Sequence, residues 1–217
     1  MTPSQTLRAA HSAEWEAIAG HPFTIALAGG SLPPARLAWY LVQDYAFIDG
    51  FVRLAASAIA TAPSLADSVP LAQFLAVITG PENTYFQRAF DLLDVPRADR
   101  VAPRLAPQTK AFQALMAEAA ASGEYGRMIA VLTVAEWSYL SWATPHNPPA
   151  PDLPFQFAEW ITLHAGPGFE AVVAYLRGQL DAAWERADPD LRARMQADFA
   201  RAVRLERAFF DAAWQAG

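Results

Sequence analysis

The stretch Met128-Ile-Ala-Val-Leu-Thr-Val-Ala-Glu-Trp-Ser-Tyr139 decides the fold class. Its apolar residues do not form one stripe but cover almost every side of a helix, which is typical of a helix at the centre of a bundle. Elsewhere apolar residues recur at helical spacing, and no segment shows convincing strand alternation. The sequence therefore predicts an all-α protein, a bundle of helices packed around this stretch.

Proline and glycine residues separate the expected helices. Ser31 is expected to cap the long helix that begins at about Pro34. The expected helices are Pro3–Ile18, a short one after His21-Pro22-Phe23 that ends at Gly29-Gly30, Pro34–Ala60, Leu65–Thr79, Glu82–Leu93, Thr109–Ala121, Gly126–Ala143, Phe155–His164, Phe169–Ala187 and Pro189–Gln215.

The length and composition favour one domain over residues 1–217. A chain of 217 residues with 53% hydrophobic residues can bury one large core. Two proline-bearing stretches, Val95–Gln108 and His146–Pro154, are candidate domain linkers. Both are short and flanked by amphipathic helices, so we interpret them as loops within a single bundle.

Composition and charge exclude several classes of function. The net charge is -6 and no basic stripe occurs, so nucleic acid is not an expected partner. No segment approaches the ~18 consecutive apolar residues of a membrane span, and the polar N-terminus does not resemble a signal peptide. A cytoplasmic protein is expected. The chain has no cysteine, which excludes disulfides, zinc–thiolate sites and thiol nucleophiles.

Two acidic residues interrupt apolar helix faces. Glu206 lies on the inward stripe of the last helix, between Phe199 and Phe209, and Asp44 lies on a similar stripe that includes Phe47. Neither carboxylate has a Lys or Arg three or four residues away on its own helix.

Glu136 is a third such acid, since it interrupts the apolar stretch quoted above. A buried, uncompensated carboxylate costs several kcal/mol, so such groups are usually paired, protonated or functional. One interpretation is an ordinary ion pair with an arginine from another helix, or a hydrogen bond to Tyr or Trp. The other, which we favour because three acids share the pattern, is that all three converge on one pocket.

Three aromatic residues and one histidine have an ordinary structural interpretation from their positions alone. Phe47, Phe112 and Tyr139 occupy inward helical positions, where aromatic residues are more often plain core. His164, just before Gly166, equally suits the C-terminal end of a helix.

Four motifs together resemble the TenA (thiaminase II) family over nearly the whole chain. They are His21-Pro22-Phe23 followed by Gly30-Ser-Leu-Pro; Tyr40-Leu-Val-Gln-Asp-Tyr45; Trp160-Ile161; and Leu205-Glu206-Arg-Ala-Phe209-Phe210-Asp211. The resemblance implies the helical bundle shared with haem oxygenase and a homo-oligomer, a tetramer or a dimer.

The resemblance also implies an aminopyrimidine ligand. Asp44 matches the acid that grips the pyrimidine amino group and ring nitrogen, Glu206 matches the acid that moves protons at the leaving group, and Tyr139 matches a pocket tyrosine. Ala135 stands at the position of the family's cysteine. Glu136, one residue on, is the candidate for the glutamate of a subgroup that lacks the thiol.

At three positions where family members usually have tyrosine, this chain has Phe47, Phe112 and His164. The resemblance implies that these residues line the pocket. We expect these residues and Tyr139 to bind the pyrimidine ring, and Glu206 and Glu136 to be catalytic. The expected function is hydrolysis of an aminomethyl or formylaminomethyl pyrimidine in thiamin pyrimidine salvage, with thiamin itself a poor substrate because no thiolate is present.

Other classes of function remain open at this point. A non-catalytic aminopyrimidine-binding protein would keep the same pocket. A di-metal oxidase of the related fold is less favoured, because the Glu-x-x-His pairs typical of such sites do not occur. No metal or organic cofactor is expected. A transcriptional regulator is disfavoured by the acidic charge.

Overall fold

The computed structural model describes residues 1–216, which form helices and no strand. The α-helices are α1 (Pro3–Ala10), α2 (Ser12–Ala19), α3 (Pro22–Ala28), α4 (Pro34–Thr61), α5 (Leu65–Val77), α6 (Asn83–Leu92), α7 (Arg97–Val101), α8 (Pro107–Ala121), α9 (Tyr125–Ala143), α10 (Phe155–Leu163), α11 (Pro167–Arg186) and α12 (Pro189–Gln215). A π-helical turn (Ile78–Glu82) joins α5 to α6, and a 3-10 turn (Thr144–His146) follows α9. The predicted all-α class is confirmed.

Helix α9 is the centre of the bundle, as its composition predicts. Ala130, Leu132 and Val134 are all fully buried, although alternate residues of a helix point about 200° apart. The helix is enclosed by α2, α4, α8, α11 and α12. Side chains from α4 and α12 therefore meet those of α9 in the interior.

Two expectations about helices are wrong: that the first helix is continuous, and that Ser31 caps α4. The first helix is interrupted at His11 (φ -122°, ψ 29°), because α1 packs on α11 whereas α2 packs on α9 and α12. Ser31 does not cap α4. Its hydroxyl donates to the carbonyl of Ala26, 3.3 Å away, and the N-cap residue of α4 is Pro33, which offers no side-chain acceptor.

The stretch Val95–Gln108 is not entirely a loop, because it contains α7. Arg100 holds this short helix in place by donating through Nε to the carbonyl of Val95 (2.8 Å) and through Nη1 to Asp91 (2.6 Å). A helix of five residues is too short to show an apolar period.

The π-helical turn has a local cause. Pro81 has no N–H to donate, and its ring crowds the carbonyl four residues earlier, so the regular α-helical hydrogen bonds cannot continue through this point. The helical path widens over Ile78–Glu82 and then resumes as α6. The last residue of the turn, Glu82, is thereby placed in the interior with 7% of its surface exposed.

No helix within residues 1–216 is both long and apolar enough to cross a bilayer. The assignment of residues 1–217 to one domain stays a prediction, and Gly217 lies outside the described residues.

Candidate active site

Asp44 lies in the middle of α4 at the end of a chain of hydrogen-bond donors. Tyr139 donates its hydroxyl hydrogen to Asp44 Oδ1 (3.2 Å), the hydroxyls of Tyr139 and Tyr40 are 2.8 Å apart, and Trp160 Nε1 donates to the Tyr40 hydroxyl (3.1 Å). Because each hydroxyl has one hydrogen, the donors run from Trp160 through Tyr40 and Tyr139 to the carboxyl group. Helices α10, α4 and α9 together orient Asp44.

Burial raises the pKa of Asp44 from 3.8 to about 7, although the hydrogen bond from Tyr139 opposes the rise. At neutral pH the ionised and protonated forms of this carboxyl group are therefore both populated.

Glu206 and Glu136 approach Asp44 from two other helices. Glu206, on α12, is almost fully buried, and burial followed by the nearby charge of Asp44 raises its pKa well above the usual value. Glu136, on α9, keeps part of its surface accessible because it borders an internal cavity. Burial and then the carboxylates of Glu82, Glu206 and Asp44 raise its pKa well above the usual value.

Glu82 is a fourth carboxylate that sequence reasoning missed. It lies in the same region as Glu136, and burial followed by the charge of Asp44 raises its pKa from 4.5 to about 8. In the sequence it follows Gly80-Pro81 at the expected start of a helix, where an acidic residue is ordinary. The one available signal is Pro81 between two helical stretches, since π-helical turns often accompany functional sites.

None of these four carboxylates has a Lys, Arg or His nitrogen within 4 Å among residues 1–216. Asp198 on α12 shows the contrasting arrangement: it is also buried, but Arg127 binds it at 2.6 Å. Of the ordinary alternatives, an ion pair with a guanidinium group therefore does not hold for Asp44, Glu136 or Glu206 within residues 1–216, whereas a hydrogen bond from a tyrosine is what Asp44 has. Loss of hydration, reinforced for the three glutamates by the charge of neighbouring acids, keeps their protons bound at higher pH.

The predicted wall residues surround these acids. Phe47 and Phe112 pack edge to face with ring centroids 4.9 Å apart, and the rings of Tyr139 and His164 lie 4.7 Å apart. Burial lowers the pKa of His164 from 6.5 to about 4, so its ring is neutral at pH 7. Since Nδ1 lies 2.9 Å from the carbonyl of Trp160, it carries the hydrogen, which leaves Nε2 as an acceptor.

Two small cavities lie side by side among these groups. One, of about 20 Å³, borders Glu82, Glu136, Ala135 and His164; the other, of about 10 Å³, borders Glu206, Thr109, Phe112 and Phe209. Asp44, Phe47 and Tyr139 line both cavities, and we call these three shared residues the partition. A cavity needs roughly 10–15 Å³ to hold a water, whereas benzene occupies an apolar cavity of roughly 150 Å³. A ring ligand therefore requires the partition to move.

Within residues 1–216, no group of three or more His, Asp or Glu side chains is arranged to hold a metal ion. What the geometry offers is acid–base chemistry. Carboxyl groups with raised pKa values can donate a proton near neutral pH, and their ionised forms can accept one from water.

The fold and the site define a class: an all-helical protein in which acids without ion-pair partners and aromatic rings meet in the interior around the central helix. The chain belongs to the TENA/THI-4/PQQC family, whose profile matches residues 8–216. The suspected TenA relationship and the TenA fold are thus confirmed. Within that family this chain lacks cysteine altogether, and Ala135 stands in the cavity lining.

Similar proteins include two aminopyrimidine aminohydrolases. That of Halalkalibacterium halodurans is 26% identical over 202 residues, covering 92% of this chain and 90% of that protein. That of Bacillus subtilis is 23% identical over 212 residues, covering 98% and 89%. Among solved structures, the TenA homologue from P. horikoshii OT3 superposes with a TM-score of 0.86 at 22% identity and covers 100% of both chains.

Proposed function

We propose that this protein hydrolyses the carbon–nitrogen bond of a thiamin-derived aminomethyl pyrimidine in pyrimidine salvage. The observation that carries the proposal is the meeting of Asp44, Glu136 and Glu206 around one ring-lined region, with no guanidinium group of residues 1–216 paired to them. The names of the two aminohydrolase relatives supply the reaction class, C–N hydrolysis.

Asp44 is the proposed anchor for the pyrimidine. An aminopyrimidine presents an amino donor beside a ring nitrogen, and a carboxyl group with pKa of about 7 can match both. Its ionised form accepts from the amino group, and its protonated form also donates to the ring nitrogen. Tyr139 fixes the orientation, while Phe47, Phe112 and His164 provide the surfaces against which the ring packs.

Glu206 and Glu136 are the proposed acid and base. Glu206, whose pKa is raised by burial, gives its proton to the leaving nitrogen as the bond to the 5-methylene carbon breaks. Glu136 in its ionised form takes a proton from the attacking water, and the oxygen of that water bonds to the same carbon. The products are a hydroxymethyl pyrimidine and ammonia. Glu136 lines the larger of the two cavities and Glu206 lines the smaller one.

Two related activities use the same groups. With a formylaminomethyl pyrimidine, the same pair would hydrolyse the amide and release formate. If the carboxylates only bind, the protein is a non-catalytic aminopyrimidine-binding protein. Thiamin cleavage is not proposed, because Ala135 supplies no thiolate.

The decisive experiment is incubation of the purified protein with aminomethyl pyrimidine, its formyl derivative and thiamin, followed by mass spectrometry of the pyrimidine products. We expect hydroxymethyl pyrimidine and ammonia from the free amine, and little release from thiamin. Saturable binding of all pyrimidines without turnover would establish the binding protein instead. Absence of both binding and turnover would remove the proposal.

We also propose a cytoplasmic homo-oligomer, a tetramer or a dimer, on the strength of the family resemblance. Light scattering coupled to gel filtration gives the mass directly, to be compared with the 23.6 kDa chain. A monomer at all concentrations would contradict this part of the proposal.

A further inference from the structure

A second, open pocket lies on another side of α9, between α1, α2 and α11. It has a volume of about 420 Å³ and shares no lining residue with the two cavities described above. Its walls include the rings of Trp15 and Trp137 and the side chains of Arg8 and Arg177. Trp137 follows Glu136 directly in the sequence, so neighbouring residues of one helix serve the two regions.

Both arginines are stacked on tryptophan. The guanidinium carbon of Arg177 lies 4.1 Å from the ring centroid of Trp137, and that of Arg8 lies 5.0 Å from Trp137 and 5.2 Å from Trp15. A guanidinium over a ring face is attracted by the ring electrons, and its N–H groups that point away from the ring are available for an acceptor.

The donors of these two guanidinium groups are not satisfied. Nε of Arg8 and Nε of Arg177 are buried and have no hydrogen-bond partner among residues 1–216. Neither side chain lies within 4 Å of a carboxylate of those residues. A buried donor left without an acceptor is unfavourable, which argues that an acceptor belongs in this pocket.

Other arginines stacked on rings do not share this property. Arg36 donates through Nε to the carbonyl of Ala216, and Arg192 donates through Nε to the carbonyl of Trp184. Stacking on tryptophan therefore does not by itself prevent an arginine from finding a backbone acceptor.

The two cations also repel each other. Burial and the charge of Arg177 lower the pKa of Arg8, while Glu16 at the pocket wall acts in the opposite direction. Glu16 is exposed and does not lie within bonding distance of either guanidinium. An anion between the two arginines would cancel the repulsion and accept from both sets of donors.

We propose that this pocket binds the oxyanion of a small molecule, a phosphate monoester, with the phosphate between Arg8 and Arg177 and an apolar or aromatic part against Trp15 and Trp137. Two guanidinium forks match the several oxygens and double charge of a phosphate. The site lies outside the carboxylate region, so this inference does not rest on the proposed function.

The test is calorimetric titration of the full chain with inorganic phosphate, phenyl phosphate and phenol. We expect saturable binding of both anions, tighter for phenyl phosphate because its ring meets the tryptophans, and no binding of phenol. Equal affinities for the two anions would reassign the pocket to free phosphate. R177Q and R8Q should each weaken binding about tenfold or more, the usual effect of losing charge-assisted hydrogen bonds.

R192Q is the matched control, because it also removes an arginine stacked on tryptophan but outside the pocket; it should leave binding unchanged. E16Q should tighten binding by removing a negative charge from the wall. If R177Q does not fold, R177K keeps the charge, loses the fork and should still weaken binding. Failure of phosphate and phenyl phosphate to bind the wild type would overturn the proposal.

Sedimentation of the same variants distinguishes binding of a small anion from contact with a second copy of this chain. If R8Q and R177Q change the oligomeric mass and no anion binds, then the arginines contact a carboxylate of a second copy of this chain, and the small-molecule proposal is wrong.

Discussion

Tyr139 and Asp44 are joined by a 3.2 Å hydrogen bond in which the tyrosine donates to the carboxyl group, and both residues stand in the partition between the two cavities. The bond restrains the pKa of Asp44, which burial raises to about 7. Tyr139 therefore orients the carboxyl group and opposes the rise of its pKa that burial causes.

Replacing Tyr139 by Phe should raise the pKa of Asp44 above about 7, since the donor that favours the ionised form is lost. We expect the pH at which pyrimidine binding is half-maximal to move to a higher value, as measured by titration of a pyrimidine ligand from pH 5 to 9. Tyr40→Phe is the control, because it keeps the direct bond to Asp44. Identical pH profiles for Y139F and wild type would show that the bond has no influence on binding.

Asp44 should make stability depend on pH in an unusual direction. Its pKa is 3.8 unfolded and about 7 folded, so between these values the native state binds more protons, and the free energy of unfolding falls as pH rises. Asp44→Asn removes this contribution. The stability of the variant relative to wild type should increase from pH 4 to 7 by up to about 1.4 kcal/mol per pH unit, as measured by urea unfolding.

Asp49→Asn is the control for that measurement. Asp49 lies on the same helix but is exposed and paired with Arg53 at 3.1 Å. Replacing Asp49 should change the free energy of unfolding little, and that change should not vary with pH to a comparable extent. If the free energies of unfolding of D44N and wild type differ by the same amount at every pH from 4 to 7, the raised pKa of Asp44 is contradicted.

Glu206→Gln should abolish turnover while leaving the fold intact. The variant keeps the shape of the side chain but loses the proton donor for the leaving nitrogen, and loss of general acid catalysis typically costs about 10²- to 10⁴-fold in rate. The measurement is kcat with aminomethyl pyrimidine together with a thermal melt. Glu118→Gln, which removes an exposed acid paired with Arg201, should leave kcat unchanged. An unaltered rate in E206Q would remove the assignment of the acid.

Glu136→Gln and Glu82→Gln should have different effects on the pH profile. Loss of the proposed base in E136Q should lower kcat at every pH. In E82Q the charge that repels Glu136 most strongly is lost, so the pKa of Glu136 should fall. Since the base must be ionised, the acid limb of the kcat profile should move to lower pH. If E82Q reduces kcat uniformly and E136Q does not, Glu82 and not Glu136 is the base.

Much of the secondary structure follows from local pattern. The apolar stretch around Ala130 and Val134 identifies the central helix, and the inward positions of Asp44 and Glu206 follow from helical spacing. The cap at Ser31 was wrong although the helix start at Pro34 was right, because Pro33 occupies the N-cap position and the Ser31 hydroxyl donates to Ala26 instead. The helix α7 was not predictable, because a five-residue helix has no period. Glu82 was missed because its burial depends on a widened turn at Pro81.

The sequence by itself determined that the protein is helical, which faces are apolar and which acids interrupt them, since these properties depend on residues three or four positions apart. Only the tertiary structure decided that the four acids share one region, that no guanidinium of the described residues 1–216 pairs with them, and that Phe47 and Tyr139 line both cavities. Those facts depend on how α4, the π-helical turn, α9 and α12 pack, which brings together acids that are about 40 to 160 positions apart in the chain.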